Sequence, residues 1–297
     1  MKSNVKFQRW SAVQRQTWPF QLYKQYNEEL SGFIWAEYAA HEYTKKQIKK
    51  EVKDMATDCA PYITFPPKVW NFQTMQQWLD AFDEGQNFLY LNCVVALSSN
   101  LETFLSAIIS LAIESNPGVL LKAPMSIDGV KLLKYKPLDK KVYEKQVKAC
   151  VEGTWQKRKN AIKDLFGCYP IELDKNTNAL ESIRKMRNKV GHAFGRDIDQ
   201  SRVFSSLMKQ PSERVSLQTL RNWLAVTYEV AVAMDDFLLQ NSIGEYQAIL
   251  AYHNNKSAWS TKLSKEKARE LKKMYGDMDQ QIGLTFCQGL IEYYDSI

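Results

Sequence analysis

From Asn71 to Ser115 the chain runs with a single weak point, Gly85, and then stops firmly at Asn116-Pro117-Gly118. A run of that length with helix-forming composition predicts one long helix, with Asn71 placed to cap its start. Strand patterning with period two is nearly absent from the rest of the chain. The expected fold class is therefore all-α, a helical bundle with decorations. Composition agrees: 45% of residues are hydrophobic and 12% aromatic, which excludes a disordered chain. Twelve Gly and nine Pro are too few for a linker-rich or many-turned all-β design.

Further helical patterns cover Ser31 to Met55, Lys140 to Cys150, Thr154 to Phe166 and Thr177 to Val190. Others span Ser216 to Gln240, Leu263 to Met274 and Asp279 to Tyr294. The run Tyr62 to Pro67 ends any preceding helix, because proline supplies no N–H and bars helical geometry before it. Ile127-Asp128-Gly129-Val130 reads as a turn, compatible with a small hairpin. The 297 residues allow one large domain or two modest ones.

Several function classes are disfavoured. The opening MKSNVKFQRW has no apolar run behind its lysine, so it does not read as a secretory signal. The most apolar stretch, Phe88 to Ile113, is broken by Asn92, Ser98, Ser99, Asn100 and Glu102, so no membrane span is expected. Five scattered cysteines with no C-x-x-C read as reduced, mostly buried thiols of a cytoplasmic protein. No phosphate loop of the G-x-x-x-x-G-K-[ST] or G-x-G-x-x-G kind is present. His41-Glu42 begins like a zinc-protease helix, but Lys45 stands where the second His belongs. With three histidines far apart, neither a metal site nor a cofactor is expected.

Charge is uneven. The formal net charge is +7, yet Lys131 to Lys163 alone holds eleven Lys or Arg against Asp139, Glu144 and Glu152. That ninth of the chain is net +8, and the remainder is nearly neutral. Its aromatics are Tyr135, Tyr143 and Trp155. The segment reads either as a surface for a phosphate backbone or as a solvated helical face.

The most informative stretch is Ala179 to Phe194, ALESIRKMRNKVGHAF. Leu180, Ile183, Met186 and Val190 fall on one face, and Arg187 borders that stripe. A guanidinium there needs an anionic partner or a bound anion. Arg187 and His192 would stand about 140° apart on an ideal helix. They converge on one ligand only if the helix ends or distorts near Gly191, or if a second subunit completes the site. Asn188 and His192 are one turn apart, so Asn188 can orient the imidazole if the helix persists. Upstream, Ser98, Glu102 and Ser106 form a polar stripe on an apolar helix, and such a stripe needs buried partners. Arg187 is a candidate partner for Glu102.

Arg187-Asn188-x-x-x-His192, late on an amphipathic helix, resembles the R-N-x(3)-H form of the motif of HEPN domains (higher eukaryote and prokaryote nucleotide-binding). Leu101-Glu-Thr-Phe-Leu105 is similar to the first long helix of several of these families. The resemblance covers about Asn71 to Gln240, with Lys131 to Lys163 as a basic insertion. It implies three segments: an N-terminal helical extension over 1–70, a HEPN-like bundle over 71–240, and a C-terminal helical extension over 241–297. Some members carry a Tyr two residues after the His. Phe194 stands there, so a subtype regulated by nucleotidylation is not implied.

The resemblance implies a metal-independent endoribonuclease of toxin, abortive-infection or antiviral defence systems, with its site composed across a homodimer. In that reading His192 is acid and base, since imidazole titrates near neutrality. Arg187 stabilises the phosphorane with its two-pronged guanidinium. Asn188 orients the site, and Glu102 supports Arg187. RNA would be bound by Lys140, Lys141, Lys157, Arg158, Lys159, Arg184 and Arg196, and an antitoxin or sensor partner is possible. The competing class is a non-catalytic HEPN-type module that dimerises and binds nucleotide or RNA. Blander readings remain: His192 interacting with free carbonyls at a helix end, Arg187–Glu102 as a structural ion pair, and Glu181–Lys185 as a surface pair.

Overall fold

A computed structural model describes residues 7–64, 72–201, 203, 210–276 and 282–297, with backbone alone at 198 and 201. The described residues are helical and contain no strand. In order they form α1 (Trp18–Glu51), α2 (Met75–Ser115), a 3-10 turn (Pro117–Leu121), α3 (Gly129–Tyr135), a second 3-10 turn (Lys140–Val142), α4 (Glu144–Val151) and α5 (Trp155–Phe166). There follow α6 (Ile171–Lys175), α7 (Thr177–Ala193), α8 (Ile198–Ser201), α9 (Leu217–Leu238), a π-helical turn (Leu239–Ile243), α10 (Tyr246–Asn255), α11 (Ser264–Gly276) and α12 (Leu284–Ser296).

Local chemistry sets the boundaries. Helix α1 begins well before Ser31, because Thr17 Oγ1 accepts the Phe20 N–H at 3.2 Å and Pro19 sits in the first turn. It ends at Glu51, with Lys49 and Lys50 in the last turn. Asn71, Pro66 and Pro67 lie outside the described residues, as does Asp279. Thr74 opens α2, with its Oγ1 accepting from Gln77 N–H at 3.3 Å. The stop at Asn116-Pro117-Gly118 holds, and the chain turns there into a short 3-10 segment. Ile127 to Val130 is not a hairpin. Asp128 Oδ1 accepts from Val130 N–H at 3.0 Å and caps α3. Helix caps and tight turns use the same residue types, so that stretch alone was ambiguous.

Close contacts divide the chain into two units. The first holds Met1–Lys24, Leu101–Asn178 and Tyr228–Ile297; the second holds Gln25–Asn100 and Ala179–Thr227. The two units interleave along the chain, whereas the segments expected from the sequence, 1–70, 71–240 and 241–297, follow one another. Helices α1, α2 and α9 each contribute residues to both units. At a rise of 1.5 Å per residue, α2 is about 60 Å long, more than a single small core needs.

In the first unit the apolar face of α2 is buried through Leu101, Leu105, Ile108, Ile109, Ala112 and Ile113. Among the described residues α2 is the one helix long and apolar enough to cross a membrane. The burial of this face gives it the character of a core helix. The N-terminal segment is anchored by Arg9, whose guanidinium is 5% exposed. It donates to Ile243 O at 2.8 Å, to Ser115 Oγ at 2.8 Å and to Asp128 at 3.2 Å, and it lies over the Trp10 ring. Gly244 makes this seating possible: a Cβ there would stand 2.5 Å from Arg9 O, at a φ of +52°.

Two buried carboxyls complete the seating. Asp235 accepts from Thr17, through Oγ1 at 2.5 Å and N–H at 3.2 Å. Glu245 accepts from Val13 N–H at 2.5 Å and from Gln14 Nε2 at 3.1 Å. In the second unit Ile48, Val52, Cys59, Met75 and Leu79 form a small core. The start of α2 is tied into it by Met75 N–H to Thr57 O and Gln76 N–H to Met55 O, both 2.9 Å.

Burial pushes the Asp235 and Glu245 carboxyls up to about 7, against the opposing pull of their hydrogen bonds. A carboxyl raised in the folded state favours folding below its unfolded value near 4 and loses that contribution as pH rises through 7. Chemical denaturation across pH 4 to 8 should therefore show stability falling through these two groups, on the order of 4 kcal/mol each. Asp235→Asn and Glu245→Gln should flatten that part of the profile; an unchanged slope in the double variant would contradict the assignment.

Candidate functional site

Helix α7 buries Leu180, Ile183, Val190 and Ala193 on one face. Arg187 and Asn188 are half-buried beside it, and His192 is exposed in its last turn. The helix does not break at Gly191, where a Cβ would meet nothing within 4 Å. Arg187 and His192 therefore remain about 140° apart around one unbroken helix. Asn188 Oδ1 accepts from Arg187 Nη1 at 3.3 Å. Among the described residues, that is where its hydrogen bond goes, and not to His192.

The helix ends beyond the histidine. Phe194 N–H donates to Val190 O at 3.0 Å and Gly195 N–H donates to Lys189 O at 3.1 Å. The chain leaves the helix through left-handed backbone, with φ of +52° at Phe194 and +78° at Gly195. Among the described residues the His192 side chain makes no hydrogen bond, so it does not cap a carbonyl of this helix end. The positive φ favours glycine at 195, and a Cβ there would also stand 2.8 Å from Leu91 Cδ1, so that the leucine tip would have to shift. Phe194 has no such excuse: the left-handed conformation costs a non-glycine residue about 1–2 kcal/mol, and its side chain is 65% exposed.

The polar stripe on α2 does find a partner. Glu102 accepts from Arg158 Nη2 at 2.8 Å, within the first unit. Glu102 and Arg187 belong to different units. Arg158 is 3% exposed, donates through Nε to Gly153 O at 3.1 Å, and lies over the Trp155 ring. It is thus a structural cation and not part of an RNA-facing set. Lys159 is corrected for the same reason: it is buried and reaches Asp174 at 2.5 Å beside the Tyr169 ring. Lys140, Lys141 and Lys157 are exposed, together with Lys131, Lys136, Lys145 and Lys163. Trp155 and Tyr143 are buried, so of the segment's aromatics Tyr135 is the exposed one. Arg184 is engaged by Glu181 at 2.5 Å, which replaces the expected Glu181–Lys185 pair.

Sequence reasoning missed the loop that returns to the end of α7. Glu213 N–H donates to Gly195 O at 2.8 Å, and Lys189 reaches the Glu213 carboxylate at 2.5 Å. Asn87 on α2 donates to Glu213 O at 2.9 Å and accepts from Val215 N–H at 3.1 Å. Arg196 Nε donates to Gln210 O at 3.1 Å, and Arg214 pairs with Glu84. Of these, Glu84, Asn87, Arg196, Gln210 and Arg214 wall a cavity of about 640 Å³ that Phe88, Leu91 and Phe194 also line. Asn87 and Glu84 meet residues more than 120 positions away, and no periodicity signals such a meeting.

A smaller cavity of about 430 Å³ in the same unit is lined by His41, Lys45, Asp83, Gln86 and Tyr90. His41 is buried, stacked on Phe82, with Nε2 3.0 Å from Asp83 but poorly aligned for a hydrogen bond. Among the described residues no group of three His, Cys, Asp or Glu gathers as metal ligands. The five cysteines are free thiols and only Cys168 is exposed. Burial pushes Cys93 up to about 11 and Cys150 up to about 12.

No family model, curated protein or solved structure matches the chain.

The reassignment of Arg158 has a direct consequence. Arg158→Ala removes a buried guanidinium from Glu102, Gly153 O and the Trp155 ring and should lower stability by about 2 kcal/mol. Lys157→Ala, one residue away but exposed, should change stability by less than about 0.5 kcal/mol. Urea denaturation of the two variants decides between a structural and a surface role for Arg158.

Proposed function

We propose that this chain is a metal-independent endoribonuclease of HEPN type, acting as a toxin or an abortive-infection or antiviral effector in the cytoplasm. The observation that carries the reading is the state of α7. Its arginine is half-buried and tied to Asn188, while His192 projects into solvent on the same unbroken helix with no capping duty. An anion-binding group and a proton-transfer group one and a half turns apart suit a phosphodiester better than they suit packing. Because the two diverge around the helix, a second copy supplies the complementary pair, and the active species is a homodimer.

In this mechanism one His192 takes the proton from a ribose 2′-OH. The resulting oxygen attacks the adjacent phosphorus, and the bond to the 5′-oxygen breaks. The partner's His192 protonates that leaving oxygen, giving a 2′,3′-cyclic phosphate and a 5′-hydroxyl. Arg187 donates to the phosphorane oxygens as negative charge accumulates. Asn188 fixes the guanidinium by accepting from it. Exposed lysines such as Lys140, Lys141 and Lys157 draw RNA in by phosphate contacts, with affinity that falls as salt rises. An antitoxin or sensor partner would hold the activity in check.

Purified protein incubated with tRNA and mRNA in EDTA tests the reading. Cleavage products with cyclic phosphate ends are expected. Arg187→Ala and His192→Ala should each lower the rate by about 10²–10⁴-fold while leaving folding and the dimer intact. Binding without products would favour the non-catalytic module, and cleavage that survives both substitutions would refute the site.

A further inference from the structure

We propose that the cavity beside the C-terminal end of α7 is a nucleobase subsite, in which an unpaired base of single-stranded RNA stacks on Phe194 while Arg196 and Arg214 meet its flanking phosphates. The proposal rests on the ribonuclease reading for its choice of ligand, but its geometry is independent of His192.

Three observations carry it. First, Phe194 occupies a left-handed position that suits glycine or asparagine, yet it is 65% exposed. The strain is not offset by burial, so the fold itself gives no reason for an aromatic ring there. Second, that ring lines a cavity of about 640 Å³, a size within the range of small-ligand sites, and shares it with Phe88, which is 50% exposed. Two accessible aromatic faces in one concave site match what unpaired bases stack on. Third, the cavity carries two guanidiniums. Arg196 spends only its Nε on Gln210 O, and its terminal nitrogens have no partner among the described residues. Arg214 is held in place by Glu84.

The wall is preorganised. Asn87 uses both ends of its amide on the 213–215 backbone, and Gly195 O is bonded to Glu213 N–H. The ring therefore stands on a fixed turn two residues after His192. Stacking is tolerant of base identity, so the subsite selects unpaired RNA over duplex and not one sequence over another.

The test uses full-length protein and a fluorescein-labelled octanucleotide with 2′-O-methyl riboses, which cannot be cleaved through a 2′-OH. Binding is read by anisotropy in EDTA at fixed salt. Phe194→Gly should weaken binding about tenfold and Phe194→Trp should preserve it. Phe194→Gly should also raise the melting temperature by about 2 °C, because glycine relieves the backbone strain. A duplex of the same length should compete poorly. Unchanged affinity in Phe194→Gly, or no binding by the wild type, overturns the subsite; so does a change in oligomeric mass with RNA affinity unaffected, which would make the cavity a protein contact. The outcomes separate from those of the ribonuclease reading. Loss of cleavage in His192→Ala with Phe194→Gly binding normally removes the subsite alone. Phe194-dependent binding with no cleavage of natural RNA removes the nuclease alone.

Discussion

Everything placed in this structure depends on keeping one very long apolar helix intact while it carries buried polar groups. Helix α2 can hide its leucines and isoleucines only if Ser98, Glu102 and Ser115 are not left unsatisfied, since each bare buried polar group costs a few kcal/mol. Ser115 is met by Arg9 and by the carbonyls of the π-helical turn, and Glu102 by Arg158. Those partners come from the N-terminal segment, α5 and the π-helical turn that follows α9. The polar interruptions in α2 thus prescribe which distant segments must pack on it.

The same logic explains what happened to the basic segment. A net charge of +8 in thirty-three residues looks like one surface in the sequence, but the cations divide by helical phase. Arg158 and Lys159 turn inward to Glu102 and Asp174, whereas Lys157 and Lys163 on the same helix stay in solvent. Counting charge locates a patch; only the period of the helix and the acids opposite it say which members of the patch face outward.

Helix existence was readable from composition and breakers: α2, α5, α7, α9, α11 and α12 all appear close to where the patterns place them. Boundaries were less so, because capping residues such as Thr17, Thr74 and Asp128 also serve as loop residues. Helix α10 was missed because it is buried over most of its surface and so lacks an amphipathic period. At the candidate site, Arg187, Asn188 and His192 were legible as a spacing on a helix. The cavity beside them was not, because its walls are joined by backbone hydrogen bonds between residues that share no pattern. Phe194 stood in plain view in the sequence, yet its significance lies in a dihedral angle that composition does not encode.

Gly191 has a consequence of its own. With open space where its side chain would be, packing does not ask for glycine there, and the helix forgoes about 1 kcal/mol relative to alanine. The sacrifice falls between Arg187, half-embedded in the body of α7, and His192, out on the final turn. In the nuclease proposed above, the arginine that would hold the phosphate sits upstream of this glycine and the histidine that would move the proton sits beyond it, so the two need not move as one.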